Sequence, residues 1–129
     1  MDRDTSLKVL VGLRTVVGLS SWLAPRRAGQ LFGLDPRRNP QAAYLGRLFG
    51  ARDVALAYGT FAEQAEGGTR WLATGLACDL ADAAAALGGG RGGYLSPVTT
   101  VLAGGVALGA AGLGAVALRE DGSPPAVSG

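Results

Sequence analysis

The sequence of 129 residues contains no histidine, one cysteine and one methionine, and only 17% of its residues are charged. Without histidine, the chain lacks the most frequent protein metal ligand and the most frequent general base. This excludes a serine–histidine–aspartate triad and a zinc site. The lone cysteine, Cys78, rules out an intrachain disulfide and a Cys-x-x-Cys redox pair. We therefore predict that the protein uses neither a metal ion nor a cofactor.

Charge of either sign is scarce and scattered. Lysine and arginine number 12, against 10 acidic residues. No basic patch is interleaved with the aromatic side chains on which nucleic-acid bases stack, so we do not expect a nucleic-acid partner. Soluble domains contain about 25% charged residues, whereas this chain is 48% hydrophobic and holds 22 glycines. The composition is therefore typical of a chain that contacts lipid.

Four apolar runs occupy most of the sequence. They cover residues 7–24, 41–62, 71–87 and 97–118, and the last contains no charged residue. Each run has about the length that crosses a bilayer as a helix, ~17–25 residues. Proline follows the first run, and glycine-rich segments follow the second and third. The pattern predicts an all-α, four-transmembrane-helix bundle.

The domain organisation follows from these runs. We predict one transmembrane domain over residues 1–121, a disordered tail over 122–129 and a multi-pass location in the cell membrane. Residues 25–40 favour a short helix at the membrane interface between helices 1 and 2. The alternative is a soluble bundle rich in alanine and glycine. It is disfavoured because the fourth run has no polar face and because each glycine in a water-exposed helix costs about 1 kcal/mol.

Apart from Lys8 at the edge of the first run, six ionic residues lie within the first three runs. They are Arg14, Arg47, Arg52, Asp53, Asp79 and Asp82. Four of them lie near the middle of a run, and in an up-and-down bundle Arg47 and Asp82 are displaced from that depth in the same direction. Each charge facing lipid would cost about 2.5–3.5 kcal/mol. We therefore expect all six side chains to turn inward and pair, with a formal sum of zero.

Three interpretations of this cluster stay open. In the first, the salt bridges are architectural and set the register of the helices. In the second, the cluster forms a polar pocket that binds a lipophilic small molecule and converts it by acid–base chemistry. Such a cofactor-independent isomerase, cyclase or lyase would use Asp53, Asp79 and Asp82 as catalytic groups. Arg14, Arg47 and Arg52 would hold oxygen atoms of the substrate. In the third, a buried aspartate serves a proton-coupled small transporter or channel.

Two segments resemble a known group of proteins. They are "YLGRLFGARDVALAYGTF", which contains Arg47, Arg52 and Asp53, and "CDLADAAAALGGGRGG", which contains Asp79 and Asp82. Both resemble a family of small four-span integral membrane proteins of unassigned function, typical of high-GC actinobacteria. The resemblance implies the four-span topology and no particular reaction. The partners we expect are the lipid bilayer and a lipophilic small molecule, and a homo-oligomer is compatible with this organisation.

Overall fold

The computed structural model describes residues 1–121, which form five α-helices and no strand. The helices are α1 (Arg3–Leu23), α2 (Pro25–Leu31), α3 (Ala42–Gln64), α4 (Arg70–Arg91) and α5 (Pro97–Asp121). Each of the four long helices covers one apolar run, and α2 lies between the first two runs. The all-α prediction is confirmed for this part of the chain. The predicted disordered tail, residues 122–129, lies outside the described residues.

Three consecutive helices end in the same glycine-based turn. After α2, the amide of Leu34 donates to the carbonyl oxygen of Gly29 at 2.9 Å. This bond, between residues five apart in the sequence, is characteristic of a Schellman motif. Equivalent bonds follow α3 and α4. The turn needs a residue with positive φ, which glycine adopts without steric penalty. Accordingly, φ is 83°, 73° and 80° at Gly33, Gly67 and Gly93.

The four long helices form a ring. In this ring α1 lies between α3 and α5, while α4 packs extensively on α5 and only lightly on α3. Consequently α1 and α4 face each other across the centre without backbone contact. The short helix α2 packs on α1 and α3, at the end of the bundle where α1 finishes and α3 begins. We call this the α2 end.

Two glycines bring α1 and α3 into close contact. A Cβ atom at Gly18 would lie 2.8 Å from the carbonyl oxygen of Gly50, and one at Gly50 would lie 2.5 Å from the carbonyl oxygen of Gly18. Small residues at a crossing let two helix backbones approach, which favours helix association in membranes. The α1–α3 pair is therefore closely packed, and neither position has room for a side chain.

Side-chain packing and empty space are separated along the bundle axis. At the end opposite α2, leucine and alanine side chains of α1, α4 and α5 form the apolar core. Its members are Leu7, Leu10, Leu72, Ala110 and Ala117. At the α2 end, the helices surround a cavity of about 460 Å³. Five of the six ionic residues named above lie between these two halves, and the sixth, Arg47, is exposed near the α2 end.

Two helices among the described residues are long and apolar enough to cross a membrane by length and composition, namely α1 and α5. Helices α3 and α4 are of similar length, with 23 and 22 residues, but they do not meet the same criterion, since ionic residues lower their mean hydropathy. By length and composition, then, two of the described helices could cross a membrane. Four spans require an account of the charges in α3 and α4.

The close α1–α3 crossing generates a stability prediction. We expect Gly18→Ala to lower the free energy of unfolding by about 1–3 kcal/mol, the usual effect of forcing extra volume into a well-packed contact. Thermal unfolding of the detergent-solubilised protein measures this. Gly12→Ala, on the same helix, is the matched control because a Cβ atom there would meet nothing within 4 Å. Equal losses in the two variants would contradict the crossing.

Candidate binding site

Ionic side chains from three helices meet at the inner boundary of the cavity. Arg14 of α1, Asp53 of α3 and Asp79 of α4 are only 2%, 6% and 5% exposed. Arg52 and Asp82 are half-buried beside them. Five of the six predicted residues are therefore brought together, although α1 and α4 have no backbone contact. Across the centre, the ionic groups of Arg14 and Asp79 connect two helices whose backbones are not in contact.

The Arg14–Asp79 pair spans the centre of the bundle. Nη2 of Arg14 donates to Oδ2 of Asp79 at 2.5 Å, and both side chains are almost fully buried. The guanidinium lies directly on Gly75, where any Cβ atom would collide with it. Gly75 precedes Asp79 by one turn, and so the missing side chain creates the space in which Arg14 reaches its partner.

A second pair joins α3 to α4. Arg52 donates to both oxygens of Asp82, through Nη1 at 3.0 Å and Nη2 at 2.5 Å. Bidentate arginine–carboxylate pairs are among the strongest charge-assisted hydrogen bonds. The ring of Phe49 lies 4.7 Å from the guanidinium carbon of Arg52 and adds a cation–π contact. Because α3 and α4 pack lightly, this pair is a main connection between them.

Asp53 has no guanidinium of its own. Among residues 1–121, its one hydrogen bond is accepted by Oδ1 from Nη2 of Arg52, at 3.4 Å, and that same nitrogen already donates to Asp82. The carboxylate is nevertheless buried and lines the cavity. Two arginines and three aspartates give the cluster a formal charge of −1. Asp53 carries this excess, because each arginine is committed to another aspartate.

The prediction that all six charges turn inward is wrong for Arg47. This side chain is exposed, and its Nε donates to the carbonyl oxygen of Trp22 at 3.1 Å. The last carbonyls of a helix lack partners within the helix, and α1 ends at Leu23. Arg47 lies early in α3, near the α2 end, so its long side chain can reach such a carbonyl. Because Arg47 is not part of the buried cluster, the formal charge of the cluster is −1 and not the predicted zero.

The cavity above the cluster is mainly apolar. Helices α1, α3, α4 and α5 form its sides, and the ionic residues form its base. Large side chains on its walls include Leu13, Val17, Leu45, Phe49 and Val106. At the α2 end it is bordered by Phe32 and Leu34 after α2 and by Tyr94 and Leu95 after α4. The volume of about 460 Å³ is within the range of ligand pockets, about 300–1,000 Å³.

The hydrogen-bond donors and acceptors of the cluster differ in whether a ligand in the cavity could reach them. Nε and Nη1 of Arg14 and Nε of Arg52 are fully buried and have no hydrogen-bond partner among residues 1–121, so these atoms are enclosed by protein although Arg14 itself lines the cavity. By contrast, Oδ2 of Asp53 and Oδ1 of Asp79 accept no hydrogen bond from residues 1–121, and both residues line the cavity. The groups open to a ligand are therefore carboxylate oxygens. The roles of Arg14 and Arg52 as oxygen clamps stay predictions.

Aromatic side chains of the site were not predicted from the sequence. Phe49 precedes Asp53 by four residues, a spacing that places both on one helix face, so this member was detectable from the pattern. Phe32 and Tyr94 enter the site from turns, where no periodicity shows the direction of a side chain. Tyr44 and Tyr58, the tyrosines of α3, are exposed.

No family model, curated protein or solved structure matches this chain. The resemblance to small four-span membrane proteins thus stays a prediction. Within residues 1–121, no group of three or more metal-binding side chains is arranged to hold an ion.

The central ion pair generates the second prediction. Arg14→Met leaves Asp79 buried without its partner, and loss of one member of a buried pair costs about 3–5 kcal/mol. We expect a decrease of that size in the free energy of unfolding, measured by chemical denaturation in detergent micelles. The double variant Arg14→Met/Asp79→Leu should recover most of the loss, since no charge is then left unpaired.

Arg47→Met provides the matched control, because it is the same substitution at an exposed position of α3. Exposed substitutions usually change stability by less than about 0.5 kcal/mol. If Arg47→Met were as destabilising as Arg14→Met, the burial of Arg14 would not be the cause of the loss.

Proposed function

We propose that the protein is a multi-pass membrane protein whose four long helices all cross the bilayer and whose cavity binds a lipophilic small molecule. The observation that carries this proposal is the apolar cavity with ionic groups at its base, inside a bundle whose outer surface is itself apolar. Each part of the proposal is supported by a separate feature of the described residues.

Apolar side chains lie outside and ionic side chains inside, which supports a lipid environment around the bundle. Large apolar side chains are exposed on all four long helices, among them Val16, Phe61, Leu80 and Val101. Meanwhile the charges of Arg14, Asp53 and Asp79 are inside. In the most apolar 18-residue stretch of each helix, only 33% of α1 and 28% of α5 is buried inside the protein. A core helix of a soluble protein would be mostly buried. The apolar surface therefore needs a partner, and lipid suits its all-round extent.

The charges of α3 and α4 are compatible with two further spans. At 1.5 Å per residue, helices of 23 and 22 residues are about 33–35 Å long, enough for a hydrocarbon core of about 30 Å. Asp53 and Asp79 are buried, while Arg52 and Asp82, whose side chains are 35% and 29% exposed, pair with each other. Arg47 lies near the α2 end, where a long side chain reaches the polar interface. No charge in these helices needs to face lipid at mid-depth.

Architecture alone does not account for the cluster. The Arg14–Asp79 and Arg52–Asp82 pairs explain how the helices are held together, as a purely structural function would require. They explain neither the cavity beside them nor the presence of Asp53, because a buried carboxylate that only shares the arginine of another pair is incompletely compensated. Polar groups that are costly inside a membrane commonly mark functional sites. A ligand that contacts Asp53 accounts for both features.

Acid–base conversion of the ligand is the finer part of this proposal. Asp53 is the group we assign to proton transfer in an isomerase, cyclase or lyase reaction. It is the one carboxylate of the cluster that lacks a dedicated arginine, and it lines the cavity. Asp79 and Asp82 hold Arg14 and Arg52, so we assign them a positioning role.

The number of spans can be tested with single cysteines. In a Cys78→Ala background, cysteine is introduced at one of three exposed positions: Asn39, Glu66 or Arg91. A membrane-impermeant maleimide is then applied to one side of sealed vesicles. Four spans place positions 39 and 91 on one side and position 66 on the other. If only α1 and α5 crossed, all three positions would be labelled from the same side.

Occlusion of the cavity tests binding. Ala103 of α5 lines the cavity, and Ala103→Phe should fill part of it. We use three probes that share one apolar cage: 1-adamantylammonium, 1-adamantanol and 1-adamantanecarboxylate. Isothermal titration calorimetry of the detergent-solubilised protein, with empty micelles as blank, should show saturable binding of at least one probe. Ala103→Phe should weaken that binding at least tenfold.

The control for occlusion is Ala84→Phe, the same substitution at an exposed position of α4 that does not line the cavity. It should bind the probes like the unmodified protein. If the unmodified protein binds none of the three, or if both variants bind equally well, the proposed function is wrong.

A further inference from the structure

We propose that the ligand is a lipophilic monocation, such as a protonated amine with an apolar body, and that its positive group contacts the carboxylate of Asp53. This inference rests on the proposed function, because it specifies the class of ligand for the same cavity. It follows from the charge balance of the cluster and from the identity of the atoms that the cavity presents.

The charge balance requires one more positive group. The groups that face Asp53 are Arg52 on its own helix, Arg14 on α1, and Asp79 and Asp82 on α4. Arg14 is committed to Asp79, and Arg52 forms two hydrogen bonds with Asp82. One negative charge is left over in apolar surroundings, where charge–charge interactions are much stronger than in water. A monocation neutralises the cluster, whereas an anion would double its excess.

The atoms open to the cavity favour the same class. An anionic head group would need free N–H donors, but the unpartnered nitrogens of Arg14 and Arg52 are enclosed by protein. An ammonium group instead needs acceptors, and it has up to three N–H donors to place. Oδ2 of Asp53 and Oδ1 of Asp79 are acceptors without a hydrogen bond at the base of the cavity.

The walls also suit a cation with an apolar body. Phe32, Phe49 and Tyr94 line the cavity, and aromatic rings attract cations through their quadrupole. Phe49 already makes such a contact with Arg52, at 4.7 Å. Aliphatic side chains such as Leu13 and Val106 complete the walls, so the body of the ligand would be apolar.

The three adamantane probes separate this inference from the proposed function, because they differ only in the charge of the head group. At neutral pH we expect 1-adamantylammonium to bind at least tenfold more tightly than 1-adamantanol. The carboxylate should show no saturable binding. In Asp53→Asn, which makes the cluster formally neutral, the ammonium probe should lose at least tenfold in affinity while the alcohol retains its own.

A second variant reaches the same charge state by another route. Asp82→Asn weakens the partner of Arg52 and leaves this arginine to pair with Asp53, so the preference for the cation should also disappear. Asp35→Asn is the matched control, since Asp35 is an exposed carboxylate outside the cavity. It should preserve the affinity and the order of the probes.

Each outcome decides a different statement. If the alcohol or the carboxylate binds best to the unmodified protein, the cation inference is overturned while the binding function stands. If the ammonium probe binds best but Asp53→Asn and Asp82→Asn keep that preference, Asp53 is not its partner and the inference fails. If no probe binds the folded protein, the binding function fails together with the inference.

Discussion

The burial of ionic side chains in apolar surroundings is the constraint on which this structure depends. A guanidinium or carboxylate without a partner is unstable there, so each charged side chain must be directed toward another helix. Arg14 satisfies this requirement across the full width of the bundle by reaching Asp79. Helices that share no backbone contact are thereby held at a defined rotation about their axes. Apolar packing alone would specify that rotation poorly, because the helices are apolar on every side.

The same constraint divides the molecule into two halves. Beyond the ionic layer, leucine and alanine side chains fill the interior between α1, α4 and α5. On the α2 end the helices diverge around a cavity. The ionic layer thus serves as the inner wall of this cavity, and the polar groups needed for bundle assembly are also those that a ligand meets. Asp53 belongs to this layer but contributes least to assembly, which is why its presence points to a ligand.

Much of the fold could be predicted from the sequence because the relevant signals are local. Long apolar runs separated by proline and glycine mark the helices, and the segment with Gly67 and Gly68 indicates where α3 ends. The prediction for α4 is wrong in this respect, because the helix continues through Gly88, Gly89 and Gly90 to Arg91, four residues beyond its apolar run. The convergence of Arg14, Asp53 and Asp79 was also predictable, since mid-run charges in an up-and-down bundle share one depth. These conclusions require only position along the chain and the antiparallel order of the helices.

The rotation of each helix about its axis and the direction in which long side chains extend could not be predicted from the sequence. Arg47 lies at a similar depth in the bundle to Asp82 and was expected to pair with it. Its side chain instead donates to the carbonyl oxygen of Trp22 at the end of α1. The resulting change of the cluster from neutral to negative could not be obtained from a count of charges. Likewise, Phe32 and Tyr94 border the cavity through turns, whose geometry is set by Gly33 and Gly93 rather than by any periodic pattern.

The contact of the Arg14 guanidinium with Gly75 has an evolutionary consequence. The two positions limit each other's substitutions, because a side chain at 75 and an arginine at 14 cannot occupy the same space. A descendant could acquire alanine or serine at 75 only after position 14 had become smaller or uncharged. That earlier step is tied to position 79, because loss of either charge alone leaves the other buried without a partner. Three codons on two distant helices are therefore expected to change in a restricted order, and ancestral lineages should lack the intermediate combinations.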